Sequence, residues 1–257
     1  MKINWLKVPQ WENDPDLLHG FMGRQGGQSV GAYAGLNVSY RVGDDPKTVS
    51  QNVCDMKLAV GIHDGRIVTM KQVHGDHLIE VKGTSVKEAG EADGMVTGAR
   101  NTFLGVLTAD CVPILLLARQ QKIVAVVHAG WRGTLKGIAG KTVRLFLESY
   151  SVLPSELEVA LGPSIDACCY EIGRDVAQPL IEQWAELTTS SIENRDNKSY
   201  LDLRNLNRAI LHRAGIPQSQ IFRVGPCTSC AKDEFFSYRR EKKETGRQIS
   251  FIGWRSE

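Results

Sequence analysis

Hydrophobic positions recur along this chain with two different periods. After Asp45 and Pro46, the residues Val49, Val53, Met56 and Val60 fall three or four apart and Gly61 follows, which predicts a capped amphipathic helix. From residue 66 the pattern shortens into β-rich runs: Arg66–Met70, Leu78–Val81, Gly94–Thr97, Thr102–Thr108, Pro113–Leu117 and Ile123–Val127. Several are apolar at every position, as strands covered on both faces are. A helix is predicted over Gly133–Tyr150, a strand over Leu157–Leu161 and a helix over Asp175–Leu187. A further helix starts at Asp202, turns Leu203, Leu206 and Ile210 inward, and stops at Gly215 before Pro217. Ile221–Val224 and Ile249–Ile252 read as closing strands. The first forty residues carry no period and are expected to be irregular, with glycines concentrated at Gly23-Arg24-Gln25-Gly26-Gly27. About nine strands and four helices predict a mixed α/β (α+β) fold.

Composition narrows what such a fold is for. A chain of 257 residues suits one large domain or two small ones; no repeat, low-complexity tract or linker divides it, so one unit spanning 1–257 is expected. Lys and Arg number 31 against 29 Asp and Glu, and a net charge of +2 does not suggest nucleic acid as a partner. No apolar segment follows the polar start Met1-Lys2-Ile3-Asn4, and the longest apolar stretch, Leu104 to Ala118, is broken by Asp110 and Pro113. Neither a signal peptide nor a membrane span is expected, and a cytoplasmic location is. In that compartment six cysteines are expected as thiols, ligands or catalysts rather than disulfides.

Candidate chemistry sits at strand ends, where a rigid sheet presents loop residues. His74 follows a strand in Lys71-Gln72-Val73-His74-Gly75, Cys111 follows one in Thr108-Ala109-Asp110-Cys111-Val112-Pro113, and His128 ends one before Ala129-Gly130-Trp131-Arg132-Gly133. Two imidazoles and a thiolate suit zinc, and three protein ligands leave a fourth position open. The intervals of 37 and 17 residues match no finger motif, so packing histidines and a core thiol remain an equal reading of these residues alone. The turn at Gly130 and Gly133, with Arg132, would receive a phosphate or carboxylate, although the glycines taken alone fit a tight strand-to-helix turn. Arg24 in its glycine-rich stretch is a second candidate for an anion, with a plain surface loop as the other reading. Asp110 is a candidate proton shuttle because it adjoins Cys111, although neighbours on a regular strand point apart. Trp131, Phe235, Phe236 and Tyr238 could stack on a purine or simply form core.

Two readings fall to counting. Pro226-Cys227-Thr228-Ser229-Cys230 resembles the Pro-Cys-x-x-Cys of zinc deaminases, but none of the six histidines begins a His-x-Glu. No His-x-His pair exists for multicopper chemistry. The cysteines 168, 169, 227 and 230 are expected mainly as buried thiols, since adjacent residues rarely chelate one ion well, with a redox or second metal role as the lesser reading.

Taken in order, these motifs resemble the laccase-domain family of the YfiH/YlmD type, labelled polyphenol oxidase and associated with purine nucleoside phosphorylase activity. The resemblance runs through the three strand-end motifs and extends to Leu161-Gly162-Pro163-Ser164-Ile165, Cys168-Cys169-Tyr170-Glu171 and Phe235-Phe236-Ser237-Tyr238-Arg239-Arg240. It implies a layered α/β/β/α sandwich, with His74, Cys111 and His128 holding a catalytic zinc, copper being the less expected ion. It implies phosphorolysis of adenosine, inosine and methylthioadenosine, and deamination of adenosine, in one pocket. Purine nucleosides and phosphate are then the partners, taken by a monomer or homodimer. Arg132, the helix start at Gly130 and Gly133, and Arg24 would hold phosphate or ribose. Where the family usually reads Ser-Thr-Arg-x-Gly-Gly this chain has Met22-Gly23-Arg24-Gln25-Gly26-Gly27, which leaves nucleoside preference open. Two alternatives stand beside this: a hydrolase of peptidoglycan-type amides with Cys111 as nucleophile and His128 as base, and a non-enzymatic metal-binding protein.

Overall fold

Two six-stranded sheets packed face to face, with helices on both outer surfaces, carry the chain. The computed structural model describes residues 3–63, 65–83, 88–242 and 244–256; Met1 and Lys2, at the polar start, lie outside them. The first strands are β1 (Trp5–Leu6), β2 (Leu17–Met22), β3 (Arg66–Lys71), β4 (Leu78–Glu80) and β5 (Glu88–Glu91). The middle of the chain supplies β6 (Gly94–Thr97), β7 (Thr102–Thr108), β8 (Val112–Ala118), β9 (Ile123–Ala129) and β10 (Leu157–Leu161). The rest are β11 (Glu171–Ile172), β12 (Ile192–Arg195), β13 (Lys198–Leu201), β14 (Ile221–Arg223) and β15 (Gln248–Trp254). Helices are α1 (Pro46–Ala59), α2 (Trp131–Leu135), α3 (Ile138–Tyr150), α4 (Arg174–Trp184) and α5 (Leu203–Arg213).

The first sheet runs β1-β2-β15-β7-β3-β5 and the second β14-β10-β8-β9-β6-β4, each mixing parallel and antiparallel pairs; β11, β13 and β12 form a small third sheet. Strand alternation explains the layers. On β8, Leu115 and Leu117 pack between the sheets with Leu104, Val106 and Ile252 of the first sheet. Ile114, Leu116 and Ala118 of the same strand face Phe146 of α3 and Leu206 and Ile210 of α5. Phe103, Ile249 and Phe251 on the far face of the first sheet meet Met56 of α1. The order is helix, sheet, sheet, helices, as the resemblance implied. Each fully buried Leu or Ile in these layers contributes about 1.5–3 kcal/mol. Among the described residues no helix is long and apolar enough to cross a membrane.

The helix after Asp45 forms as its sequence predicts, with the Asp45 carboxylate accepting from the Thr48 N–H at 2.8 Å. Elsewhere the boundaries differ. The single helix expected over Gly133–Tyr150 is two, because Gly137 takes a left-handed φ of 76° and turns the chain between α2 and α3. The helix expected over Asp175–Leu187 gives way to a 3₁₀ turn at Ala185, whose φ is 36°. The first forty residues are not wholly irregular. Leu17–Met22 is a buried strand of the first sheet, paired with β15, and its period is masked by His19 and Gly20. Buried His19 accepts the Val8 N–H at 3.0 Å, so a titratable residue there is core rather than surface.

Candidate active site

The three strand-end residues come from both sheets. His74 lies just past β3 of the first sheet, and Cys111 sits in the short link by which β7 of that sheet becomes β8 of the second. His128 is on β9, whose register against β8 pairs Pro113 with His128 and Val112 with Ala129. The link is sharply bent, with Asp110 at a φ of 98°. Gln72 ties the two loops together: its amide nitrogen donates to the Leu107 carbonyl at 2.7 Å and its oxygen accepts the Leu107 N–H at 2.8 Å. The outcome is one cluster in which the ligand atoms of His74, Cys111 and His128 lie within 4.8 Å of one another. The two imidazoles meet edge to face at 4.7 Å between centroids. His74 is exposed and His128 buried, so the cluster has an inner anchor and an outer, open side.

Asp93, which the sequence reading did not single out, organises this cluster. It is fully buried at the head of β6. Its carboxylate accepts the N–H groups of Val73 at 3.2 Å, His74 at 3.0 Å and Gly75 at 2.6 Å, holding the His74 loop with His74 at a φ of 57°. It also accepts from Nδ1 of His128 at 2.7 Å, while the His128 N–H donates to the Asp93 carbonyl at 2.7 Å. An ionised carboxylate only accepts, so His128 carries a proton on Nδ1, and Nε2 is the nitrogen left to face a ligand. Burial would raise the Asp93 carboxyl, but the His128 hydrogen bond and the Gly75 and Val73 amides outweigh it and hold it below its ordinary value. Nothing in Ala92-Asp93-Gly94 distinguishes this aspartate from a turn residue before a strand.

Charge is concentrated here. Burial pushes the Cys111 thiol up, but the charge and hydrogen bonds of His128 and the hydrogen bond of His74 outweigh it and bring it down to about 6. Burial likewise pulls His128 down, against the larger combined effect of the Cys111 thiolate and Asp93, which raise it to about 9. Gly130 allows the approach: a Cβ there would stand 3.1 Å from Cys111 Sγ and 3.1 Å from His74 Cδ2. Gly133, buried in α2, has a different task, since a Cβ there would meet the Gly75 carbonyl oxygen at 2.9 Å.

The cluster opens into a cleft of about 1280 Å³. Trp131, Arg132, Tyr170, Tyr238, Arg239 and Arg247 line it together with His74, Cys111 and His128. The Arg132 guanidinium stacks 4.3 Å from the Trp131 ring and Arg239 lies 5.2 Å from Tyr170. Arg239 and Arg247 are cleft cations that the sequence reading missed, because neither stands beside a ligand motif. Asp110 lines the cleft too, but both its oxygens are engaged: Oδ1 accepts from Thr228 Oγ1 and Oδ2 from the Arg239 N–H, each at 2.7 Å.

Arg24 stands apart from these residues. It is not among the cleft-lining residues. Its guanidinium pairs with Glu241 at 2.7 Å, donates to the carbonyls of Ala34 and Lys232, and stacks on Phe236 at 4.6 Å. It ties the N-terminal loop to the 231–241 loop. Phe235 and Phe236 are core, whereas Trp131 and Tyr238 do reach the cleft. The thiols of Cys168, Cys169, Cys227 and Cys230 also depart from expectation. Only Cys227 is buried, Cys168 and Cys230 are exposed, and all four sulfurs converge within 4.8 Å.

The model of the family described as multi-copper polyphenol oxidoreductase laccase matches residues 18–255. The chain belongs to that family. It is 36% identical to the purine nucleoside phosphorylase YlmD of Geobacillus stearothermophilus over 249 residues, covering 93% of this chain and 90% of the relative. The crystal structure of YlmD from that organism superposes with a TM-score of 0.89 at 34% identity, covering 98% of this chain and 96% of the other. A protein named adenosine deaminase RL5, from an unknown prokaryotic organism, is 33% identical over 230 residues, covering 86% of this chain and 87% of the relative.

Proposed function

We propose that this chain is a zinc-dependent purine nucleoside enzyme that carries out phosphorolysis of adenosine, inosine and methylthioadenosine, and hydrolytic deamination of adenosine. The observation that carries the proposal is the convergence of His74, Cys111 and His128 at the edge of a cleft large enough for a nucleoside and phosphate. The donor set suits zinc: two imidazoles and a thiolate held ionised, three ligands in all, with the exposed His74 side open. Copper of the multicopper kind needs clusters of histidines, and only six are present. Zinc bound there would supply a Lewis acid and the acidity that makes water nucleophilic near neutral pH.

The protein's own groups do the rest. Asp93 keeps the His128 proton on Nδ1 and fixes the loop carrying His74, so the two imidazoles cannot swing apart. Arg132 receives phosphate, with Arg239 and Arg247 adding positive charge to the same cleft. Tyr170, Tyr238 and Trp131 offer faces for the base. In phosphorolysis a phosphate oxygen attacks C1′ of the ribose, the C1′–N9 bond breaks, and free base and ribose 1-phosphate leave. In deamination water adds at C6 of adenine and ammonia departs. Asp110 acts by positioning, holding the Thr228 and Arg239 segments beside Cys111. Residues of both sheets form the cluster, which supports the whole chain acting as one catalytic unit.

One observation favours a second reading. A thiol brought down to about 6 beside an imidazole raised to about 9 is also the pair used by cysteine hydrolases of amides. The two separate cleanly when adenosine is incubated with the zinc-loaded protein, with and without phosphate, and the products are chromatographed. Adenine formed only with phosphate supports phosphorolysis, and inosine formed in both supports deamination. Unchanged adenosine in both, with an amidase activity that survives chelator and dies on thiol alkylation, replaces the proposal with the second reading.

A further inference from the structure

Away from the open cluster, four thiols from two distant stretches of chain meet at the surface. Cys168 Sγ lies 3.5 Å and Cys169 Sγ 3.4 Å from Cys230 Sγ, and with Cys227 all four sulfurs fall within 4.8 Å of one another. Thiolates around one zinc ion, at about 2.3 Å each, stand roughly 3.8 Å apart at the corners of a tetrahedron. The backbone explains how neighbouring cysteines point to one place. The N–H groups of Cys169 and Tyr170 both donate to the Asp166 carbonyl at 3.0 Å. That segment is a helix-like turn, where consecutive side chains diverge by about 100° instead of opposing as on a strand. Cys227 and Cys230 sit one turn apart, and the Ala231 N–H donates to the Cys227 carbonyl at 3.0 Å, so their sulfurs share a face.

The surroundings are those of a charged centre. The Asp166 N–H donates to Cys227 Sγ at 3.4 Å. Arg240 donates to the carbonyls of Thr228 and Ser229 at 2.7 and 3.1 Å, and Arg195 to that of Ala167 at 2.5 Å. Each cysteine turn thus carries a guanidinium close to where four thiolates would leave a surplus of negative charge. Cys168 and Cys230 are exposed, so burial of apolar surface is not what gathers these sulfurs.

We propose that Cys168, Cys169, Cys227 and Cys230 bind a structural zinc ion that pins one wall of the cleft. All four positions are filled by protein, which closes the site to substrate and separates it from the catalytic cluster. Its position says what it steadies. Thr228, between two of the ligands, holds Asp110 beside Cys111, and Tyr170, next to Cys169, lines the cleft.

Zinc content decides the matter in the full-length chain, purified without chelator, dialysed against metal-free buffer and assayed by mass spectrometry. Two zinc ions per chain are expected in the wild type. One is expected in His74→Ala/Cys111→Ser and one in Cys168→Ser/Cys230→Ser, the latter melting roughly 5 °C or more lower. Cobalt(II) added to the metal-free His74→Ala/Cys111→Ser chain should give intense thiolate charge-transfer absorption and a tetrahedral visible spectrum. The proposal is overturned if that variant holds no zinc and gives no such spectrum, or if peptide mapping of the wild type finds a disulfide among the four. Both measurements stand even if Cys168→Ser/Cys230→Ser does not fold, and neither depends on turnover.

Discussion

His74, Cys111 and His128 stand at strand ends of two packed sheets, whereas Cys168, Cys169, Cys227 and Cys230 stand on two turns at the surface. The first trio has its inner imidazole fixed by a buried carboxylate and its outer imidazole facing a cleft. The second group has four like donors and no free corner. Mixed nitrogen and sulfur donors with an open side are what a reacting centre needs; four sulfurs closing on one point are what a clamp needs. The difference lies in support more than in ligand type. Asp93 ties the two imidazoles of the trio into the fold through four hydrogen bonds, three from main-chain N–H groups of the His74 loop and one from His128. The thiol turns depend on one another, and an ion between them would supply what the sheets supply to the trio.

The comparison breaks most severely at Cys111. Cys111→Ala removes the donor between the two imidazoles and is expected to lower nucleoside turnover roughly 10³-fold, the several kcal/mol that such an electrophile contributes. A steady-state assay with full turnover retained would remove zinc from the mechanism. Asp93→Asn comes next. The amide keeps the shape but loses the charge that His128 and three N–H groups require, and zinc affinity is expected to fall about 10- to 100-fold. Competition with a calibrated chelator measures that, and unchanged affinity would show that the carboxylate is merely structural.

Legibility followed local signal. His74, Cys111 and His128 could be read because each interrupts or ends an apolar run at a strand end. The layers could be read because β8, and β9 up to His128, are apolar at every position, which requires cover on both faces. Asp93 could not, since its function depends on Val73, Gly75 and His128 being brought to it from other strands. The partners of Arg24 could not be read either, since a cation among glycines looks like an anion cradle while Glu241, to which it is bonded, lies more than two hundred residues away. The convergence of Cys168, Cys169, Cys227 and Cys230 was hidden for the same reason, as the rule that adjacent cysteines diverge holds on strands and fails on a turn.

Two arginines sharpen the contrast at a smaller scale. Arg132→Ala is expected to raise the KM for phosphate roughly tenfold with little change in stability, as loss of one charged hydrogen-bonding group does. Arg24→Ala, whose guanidinium is committed to Glu241 and two carbonyls, is expected to leave that KM unchanged and lower the melting temperature. Phosphate-dependence curves beside thermal melts separate them, and the reverse pattern would return Arg24 to the cleft.

The smallest effect tests how tightly the open cluster is packed. In Gly130→Ala the new methyl group would stand 3.1 Å from both Cys111 Sγ and His74 Cδ2, so the two ligands must yield by a few tenths of an ångström. Gly130 has an ordinary extended φ of −76°, and alanine takes that conformation without strain, so the fold itself is not challenged. The cost falls on the cluster alone, at the low end of overpacking, about 1 kcal/mol, or roughly fivefold in zinc affinity. Zinc at the four-thiol turns should be untouched by the same substitution. A Gly130→Ala chain that loses zinc from both clusters equally would mean that the two are coupled through the Thr228–Asp110 bond rather than independently built.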